Sequence, residues 1–201
     1  MALLPLAEAA SRGLFDRGIP GSGPFVQHLT LWVAFLGAAL AAREGKLLGL
    51  ATGQFLPEGT WQSVAKVVSS TVGATAAALL CRAAIDLILV ERSAGTEVAA
   101  GLPVWVAQLA MPIGFALIAL RLVWRASDRW SGRAVATLGL VIGALLGQFP
   151  GWLEGWPVWP GLLVLIVAMA LGAPIFAALG GAAVYLFMIE AVPVAAVPVE
   201  T

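Results

Sequence analysis

Two ionisable side chains inside a long apolar segment are the sharpest candidates for chemistry in this sequence. Arg82 and Asp86 are the only charged residues within residues 67–90. A spacing of four places both side chains on one face of a helix, where they can form an ion pair. In a membrane such residues are candidates for a transport site, but Asp86 could equally neutralise an arginine that extends toward water. Because no other polar group accompanies them at that depth, the sequence favours structural pairing over transport.

The remaining inventory of reactive side chains is small. The chain has one histidine, His28, one cysteine, Cys81, and one tyrosine, Tyr185. No Cys/His metal cluster or internal disulfide can be assembled from these residues, and Cys81 is best interpreted as a small inert hydrophobic side chain. Neither a Ser/His/Asp arrangement nor a glycine-rich phosphate loop is evident. We therefore expect no enzyme activity, no metal and no cofactor.

Composition places these residues in a membrane. Of the 201 residues, 61% are hydrophobic and 11% are charged, against roughly 25% charged in soluble domains. The mean hydropathy is +0.97. Eleven basic residues balance eleven acidic ones, so no bulk attraction to nucleic acid is indicated. The composition predicts a lipid bilayer as the environment and excludes a nucleic-acid partner.

Uncharged stretches predict an all-α polytopic membrane protein with about six to seven hydrophobic helices. The stretches long enough to approach one crossing are residues 25–42, 67–90 (interrupted by the ion pair), 98–120 and 134–153. Residues 155–189 contain no charge and would span about 52 Å as one helix. Pro174 divides them into either a kinked helix or a short pair. Residues 1–6 resemble the end of an incomplete first helix.

The distribution of basic residues predicts the orientation. With residues 12–24 facing outward, seven Lys and Arg residues lie inside and three outside, which follows the positive-inside rule. The inside set is Arg43, Lys46, Lys66, Arg121, Arg125, Arg129 and Arg133. Three tryptophans in residues 149–160 are typical of an outer interfacial anchor rather than an aromatic ligand cage. Residues 43–57 suit either an amphipathic helix in the inner headgroup plane or a plain interfacial loop.

Small residues predict where helices pack. Gly139, Gly143 and Gly147 form a doubled GxxxG pattern, which lets a neighbouring helix approach closely. A second stripe of mostly small residues recurs at spacings of three and four along residues 66–84. Both stripes are interpreted as helix-packing seams.

Two segments resemble a known family. GIPGSGPFVQHLTLWVAFLGAALAAREGKL (residues 18–47) and GLPVWVAQLAMPIGFALIALRLVW (residues 101–124) resemble the small membrane subunit of tripartite ATP-independent periplasmic (TRAP) transporters. The resemblance covers residues 1–130 as a four-helix domain with an incomplete first helix. Residues 161–201 resemble the opening of the family's large transport subunit, and residues 131–160 would join the two parts in a fused chain, truncated at both ends.

The resemblance implies a function and partners. It implies a bacterial inner-membrane scaffold for sodium-driven uptake of organic acids, carboxylates in particular, together with a large TRAP permease subunit and a periplasmic solute-binding protein. For Trp32, Arg43 and Glu44 it implies roles in the small subunit's fold or its contact with the large subunit. Sodium and substrate sites would lie beyond Thr201. The alternative is a stand-alone structural or assembly membrane protein without transport activity.

Overall fold

The computed structural model describes residues 22–49, 59–99 and 101–190, together with Ser11 and Gly13. The interpretation of residues 1–6 therefore falls outside the described residues, as does most of the loop 12–24. The elements in chain order are α1 (Ser22–Glu44), α2 (Thr60–Ala94), β1 (Glu97–Ala99), β2 (Leu102–Pro103), α3 (Val104–Gln108), α4 (Ala110–Arg125), α5 (Trp130–Gln148), a 3₁₀-helix (Pro150–Leu153), α6 (Val158–Ala170) and α7 (Ile175–Ile189).

Among the described residues, four helical stretches are long and apolar enough to cross a membrane. They are Gly23–Glu44, Thr60–Ala94, Val104–Arg125 and Trp130–Gln148, with α6 and α7 as shorter apolar helices. This arrangement confirms the predicted all-α polytopic membrane fold. The chain is a multi-pass membrane protein.

Helix α2 is the central element of the bundle. It has 35 residues and is about 52 Å long, whereas the hydrocarbon core of a bilayer is about 30 Å thick. It packs against α4, α5, α6 and α7. Its contact surface is made largely of small side chains, including the buried residues Ala74, Ala76, Ala77 and Ala78. Small side chains let neighbouring backbones approach on several sides, so α2 can act as the common core.

A β-ribbon joins α2 to α3 and α4. Gly95, in the left-handed region at φ 68°, ends α2, and β1 then pairs antiparallel with β2. The uncharged stretch 98–120 is therefore helical only from Val104 onward. Pro103, at φ −66° and ψ 141°, is extended, which sets the start of the helix just after it. Hydropathy alone could not distinguish the apolar ribbon from the helix that follows.

Helices α6 and α7 form an antiparallel hairpin. The Gly155 N–H donates to the Ile189 carbonyl at 3.3 Å, and the Tyr185 hydroxyl donates to the Pro157 carbonyl at 3.1 Å. These bonds hold the start of α6 beside the end of α7. At 13 and 15 residues, each helix is about 20 Å long, shorter than a full crossing. Of the two alternatives at Pro174, the structure adopts the short pair.

The turn of this hairpin lies beside α2 and is buried. A Cβ added at Gly73 would lie 3.4 Å from Pro174 Cδ, and Ala173 is 1% exposed. Non-helical backbone is tolerated at membrane depth only where its polar groups are satisfied. The Ala173 N–H donates to the Ala168 carbonyl at 2.9 Å, and the Ile175 N–H donates to the Leu48 carbonyl at 2.8 Å. The connection after α1 therefore completes the hydrogen bonding of the hairpin turn.

The same contact explains the conformation of the chain after α1. Gly45 has φ 72°, a left-handed conformation that ends helices, and residues 46–49 are not helical. Gly49 forms an isolated antiparallel bridge with Pro174. The described part of residues 43–57 beyond Glu44 is thus a loop, and an amphipathic helix does not begin there. Residues 50–58 lie outside the described part of the chain.

Candidate functional site

The three glycines of the doubled GxxxG pattern lie against α2. A Cβ added at Gly143 would lie 2.5 Å from the Thr75 carbonyl oxygen and 3.0 Å from its Cα. At Gly139 the nearest atom is Thr71 Cγ2 at 2.5 Å, and at Gly147 it is Arg82 Cγ at 2.9 Å. Real Cβ atoms essentially never come closer than 3.0 Å to such atoms. At Gly143 the obstacle is backbone, so the α2–α5 seam has no room there for a larger residue without movement of a helix, whereas at Gly139 and Gly147 the nearest atoms belong to side chains that would have to shift.

A hydroxyl group reinforces this seam. Thr75 Oγ1 donates to the Gly139 carbonyl at 2.9 Å and also lies 2.9 Å from the carbonyl of Thr71, one turn earlier in α2. Thr71 Oγ1 bonds within α2, to the Val67 carbonyl at 2.7 Å. Interhelical bonds of this type are worth about 0.6 kcal/mol on average in a membrane protein. Thr75 was not singled out from the sequence, because threonines in helices usually bond to their own helix.

Arg82 and Asp86 form the ion pair that their spacing predicts. Arg82 Nη2 lies 3.0 Å from Asp86 Oδ1, and the side chains are 36% and 41% exposed. The aliphatic stem of Arg82 rests on Gly147 of α5. Arg82 Nε is buried and has no hydrogen-bond partner among the described residues. The pair therefore sits at the edge of the α2–α5 seam, with its charged groups half exposed.

Arg43 and Glu44 lie at the end of α1, where several basic side chains collect. Arg125 Nη1 donates to the Arg43 carbonyl at 2.8 Å, which satisfies one of the free carbonyls at a helix C-terminus and places a positive charge there. Glu44 Oε2 pairs with Lys46 Nζ at 2.9 Å. Both Arg43 and Glu44 are exposed. Arg125 is the residue that the sequence did not single out here, since a bond across 82 positions leaves no local signal.

Arg133, near the start of α5, is anchored by local contacts. Arg133 Nε donates to the Ser127 carbonyl at 2.9 Å, and its guanidinium lies over the rings of Trp124 and Trp130 at 5.2 Å and 5.9 Å. Cation–π contacts of this kind contribute about 0.5–1 kcal/mol at exposed sites. We call one end of the bundle the basic end. It carries the arginines around the connection between α4 and α5 (Arg121, Arg125, Arg129 and Arg133), together with Arg43, Lys46 and Lys66.

Trp32 lies apart from the Arg82–Asp86 pair and from the basic end. It lines a small apolar crevice between α1 and α4 together with Phe35 and Gly114. The Phe35 ring meets Phe115 edge to face at 4.9 Å, and a Cβ added at Gly114 would overlap the Phe35 ring. The structure therefore places Trp32 in the contact between α1 and α4, away from Arg43 and Glu44.

The end of the bundle opposite the basic end carries the loops that the distribution of basic residues predicts to face outward. There Arg92 lies over the Trp105 ring at 5.7 Å, and the Thr96 hydroxyl donates to Glu91 Oε2 at 2.6 Å. Phe149 stacks on Trp152 at 5.1 Å, and the Trp159 side chain is 81% exposed. Exposed tryptophans at a helix end are typical of the membrane–water interface.

The described residues contain no group of three or more His, Cys, Asp or Glu side chains that could hold a metal ion. Cys81 is half-buried, and its thiol lies 3.4 Å from the Pro112 carbonyl oxygen. What the structure brings together is thus a set of packing contacts and two charged ends, and their chemistry suits helix association and interfacial binding.

Comparison with known proteins identifies one family. The family described as "Tripartite ATP-independent periplasmic transporters, DctQ component" matches residues 1–132, which are 66% of the 201-residue chain. No curated protein matches the chain. The matched region contains α1 to α4 and ends just inside α5.

Proposed function

The chain belongs to the DctQ component family of TRAP transporters, and from this membership we propose that it is the membrane scaffold of a TRAP-type secondary transporter. DctQ components are transporter components rather than enzymes and work with other TRAP subunits in the membrane. In the proposed system, a periplasmic solute-binding protein delivers organic acids, carboxylates in particular. A sodium gradient drives uptake across the bacterial inner membrane.

The family match over α1 to α4 is the observation that carries this proposal. The composition of the bundle supports a scaffold role within it. The buried residues of α2 are alanine, glycine, leucine, isoleucine and serine, and such close-packed seams resist sliding. A translocation pathway instead needs polar groups at membrane depth. Arg82 and Asp86 lie at a seam edge and pair with each other, which favours a structural role.

We place the contact with the large permease subunit on α1. Only 6% of the residues in the most apolar segment of α1 are buried, so most of the surface of this helix is available to a partner. Trp32 orients α1 on α4, and Arg43 and Glu44 lie at its end near the loop that meets the hairpin turn. Residues 161–201 would then begin a large-subunit-like domain, with residues 131–160 as the link from the 1–130 domain.

Co-isolation tests the assembly. The protein purified in mild detergent is expected to retain a large permease subunit, or to be part of a longer fused polypeptide that the flanking DNA encodes. Isolation as a lone chain, with neither a permease gene nor an in-frame continuation beside it, would contradict the proposal and favour a stand-alone structural protein.

Reconstitution tests the coupling. The assembled transporter in proteoliposomes, supplied with the solute-binding protein and labelled carboxylates, should accumulate substrate only when external sodium exceeds internal sodium. Uptake that persists without the binding protein or without the sodium gradient would refute that part of the mechanism.

We further propose that the solute-binding protein docks on the end of the bundle that carries the β-ribbon. A charge reversal tests this docking surface. Glu97 is exposed on the β-ribbon, whereas Asp128 is exposed at the basic end. Reversing a charge at the rim of an interface mainly changes the association rate. Glu97→Arg is expected to change the association rate of the binding protein severalfold, and Asp128→Arg should leave it unchanged. Equal docking rates for both variants would exclude the ribbon from the docking surface.

A further inference from the structure

An apolar cleft of about 640 Å³ lies between α1, α4 and the first turn of α7. On one side it is lined by four small residues of α1, Ala34, Gly37, Ala38 and Ala41. On the other side, Phe115 of α4 and Phe176 of α7 contribute aromatic rings. No described side chain fills this space.

The cleft opens on the exposed side of α1. Ala34 and Gly37 are exposed, and a Cβ added at Gly37 would meet no atom within 4 Å. In a bilayer an apolar space of this kind is accessible to hydrocarbon and closed to water-soluble ligands. The apolar lining of the cleft therefore suits a hydrocarbon chain.

The mouth of the cleft is positively charged. Lys46 lines the cleft, and its side chain is 77% exposed. The Arg125 guanidinium lies against Gly45, the residue before it, and bonds to the Arg43 carbonyl. Lys46 pairs at 2.9 Å with Glu44, the one carboxylate within residues 43–46, so the Arg125 charge beside Gly45 leaves this mouth with a net positive charge. Basic pockets between transmembrane helices on the cytoplasmic side bind anionic lipid headgroups.

We propose that this cleft binds an anionic phospholipid from the leaflet at the basic end. One acyl chain lies along the small-residue face of α1 between Phe115 and Phe176, and the phosphate group contacts Lys46. The positive mouth favours a lipid in this cleft, because a phosphate group matches the cations there and the apolar middle of a transmembrane helix does not. The contact proposed for the large subunit lies on the rest of the exposed face of α1. The bound lipid would link α1 to the hairpin across the gap that protein atoms leave open.

Lipid titration tests the headgroup contact. The full chain in detergent is titrated with dioleoyl phosphatidylglycerol or dioleoyl phosphatidylcholine, which differ only in the headgroup, and bound lipids are counted by native mass spectrometry. One phosphatidylglycerol should bind preferentially, and Lys46→Gln should weaken its binding about fivefold, as expected for one basic residue at an anionic headgroup. Lys66→Gln, at the same end but outside the cleft, should leave binding unchanged. Equal binding of the two lipids, or equal effects of the two variants, would overturn the proposal.

A blocking substitution tests the acyl-chain contact. Gly37→Leu adds a side chain at a residue that lines the cleft, where a Cβ would meet no atom within 4 Å. Gly23→Leu, on the same helix and with the same free space at Cβ, is the matched control. Gly37→Leu should abolish the preferential phosphatidylglycerol site while thermal unfolding stays cooperative, and Gly23→Leu should retain it. Retained lipid binding in Gly37→Leu would refute the site. If Gly37→Leu released a co-purified permease subunit without changing lipid binding, the cleft would be a protein interface instead.

Discussion

Helices α5 and α1 both present small residues, but they use them in opposite ways. Along α5, each glycine of the GxxxG pattern meets α2, and at Gly143 an added Cβ would lie 2.5 Å from a backbone oxygen. Along α1, Gly37 faces open space, and the helix is held to α4 through an aromatic contact and at its basic end. A small residue thus marks a packed seam only where another backbone lies opposite it.

The difference follows from the position of each helix in the bundle. Helix α2 is surrounded by other helices, so its neighbours are close on several sides. Helix α1 stands at the periphery, where Val33 and Leu36 are each 57% exposed. We infer that the α2–α5 seam carries stability and that α1 carries association with lipid and, in the proposed transporter, with the large subunit.

The largest difference in stability is expected when a glycine of each helix is replaced by alanine, which adds one methyl group. Gly143→Ala forces a Cβ against the Thr75 backbone, and overpacking of this kind costs about 1–3 kcal/mol. Gly37→Ala meets nothing and should be neutral or stabilising, because alanine is the better helix former by about 1 kcal/mol. Unfolding in mixed micelles measures both. A loss of stability in Gly37→Ala as large as in Gly143→Ala would break the distinction between the two helices.

A smaller loss of stability is expected at the C-terminal end of α1, where Arg125 binds the Arg43 carbonyl. Arg125→Gln removes the charged donor to the Arg43 carbonyl, and we expect a local loss of about 1 kcal/mol. Hydrogen exchange should accelerate severalfold in the last turn of α1 while α2 remains protected. Arg121→Gln is the control, because Arg121 is exposed on the same helix. Unchanged exchange in α1 would show that the bond to Arg43 does not hold the helix.

The hydroxyl in the α2–α5 seam should contribute less. Thr75→Val keeps the shape of the side chain but removes its bond to the Gly139 carbonyl, for an expected loss of about 0.6 kcal/mol. Thr71→Val, which removes a bond within α2 alone, should be closer to neutral. If the two variants unfolded identically, close packing rather than the interhelical hydrogen bond would account for the seam.

The smallest effect is expected at the Arg82–Asp86 pair. Replacing both residues by leucine removes an i,i+4 pair worth about 0.2–0.5 kcal/mol and keeps apolar contact with Gly147. Asp86→Leu alone should be more harmful, because it leaves the arginine without its partner. Stability measurements compare the two variants. Loss of uptake by a well-folded, assembled double variant would contradict a structural role and assign the pair to transport.

The sequence predicted the helical elements wherever one physical quantity decided them. Lack of charge located the long helices. Pro174 located the interruption of the last uncharged stretch, because proline lacks the N–H that a helical hydrogen bond needs, but the sequence left open whether the result is a kinked helix or a pair of helices. The spacing of Arg82 and Asp86 placed them within contact on one helix. Boundaries were less accurate where apolar residues left the helix, as in the ribbon before Val104, or where a charged residue joined it, as Arg133 does in α5.

Sequence alone determined the membrane environment, the helical class and the local ion pair, because each depends on composition or on spacing within one helix. Only the tertiary structure decided that Leu48 completes the hairpin turn, that Arg125 binds the Arg43 carbonyl, and that the cleft beside Gly37 stays open. These features join residues far apart in the chain, and no local propensity encodes which backbone lies opposite a small residue. That arrangement separates the packed seam of α5 from the open face of α1.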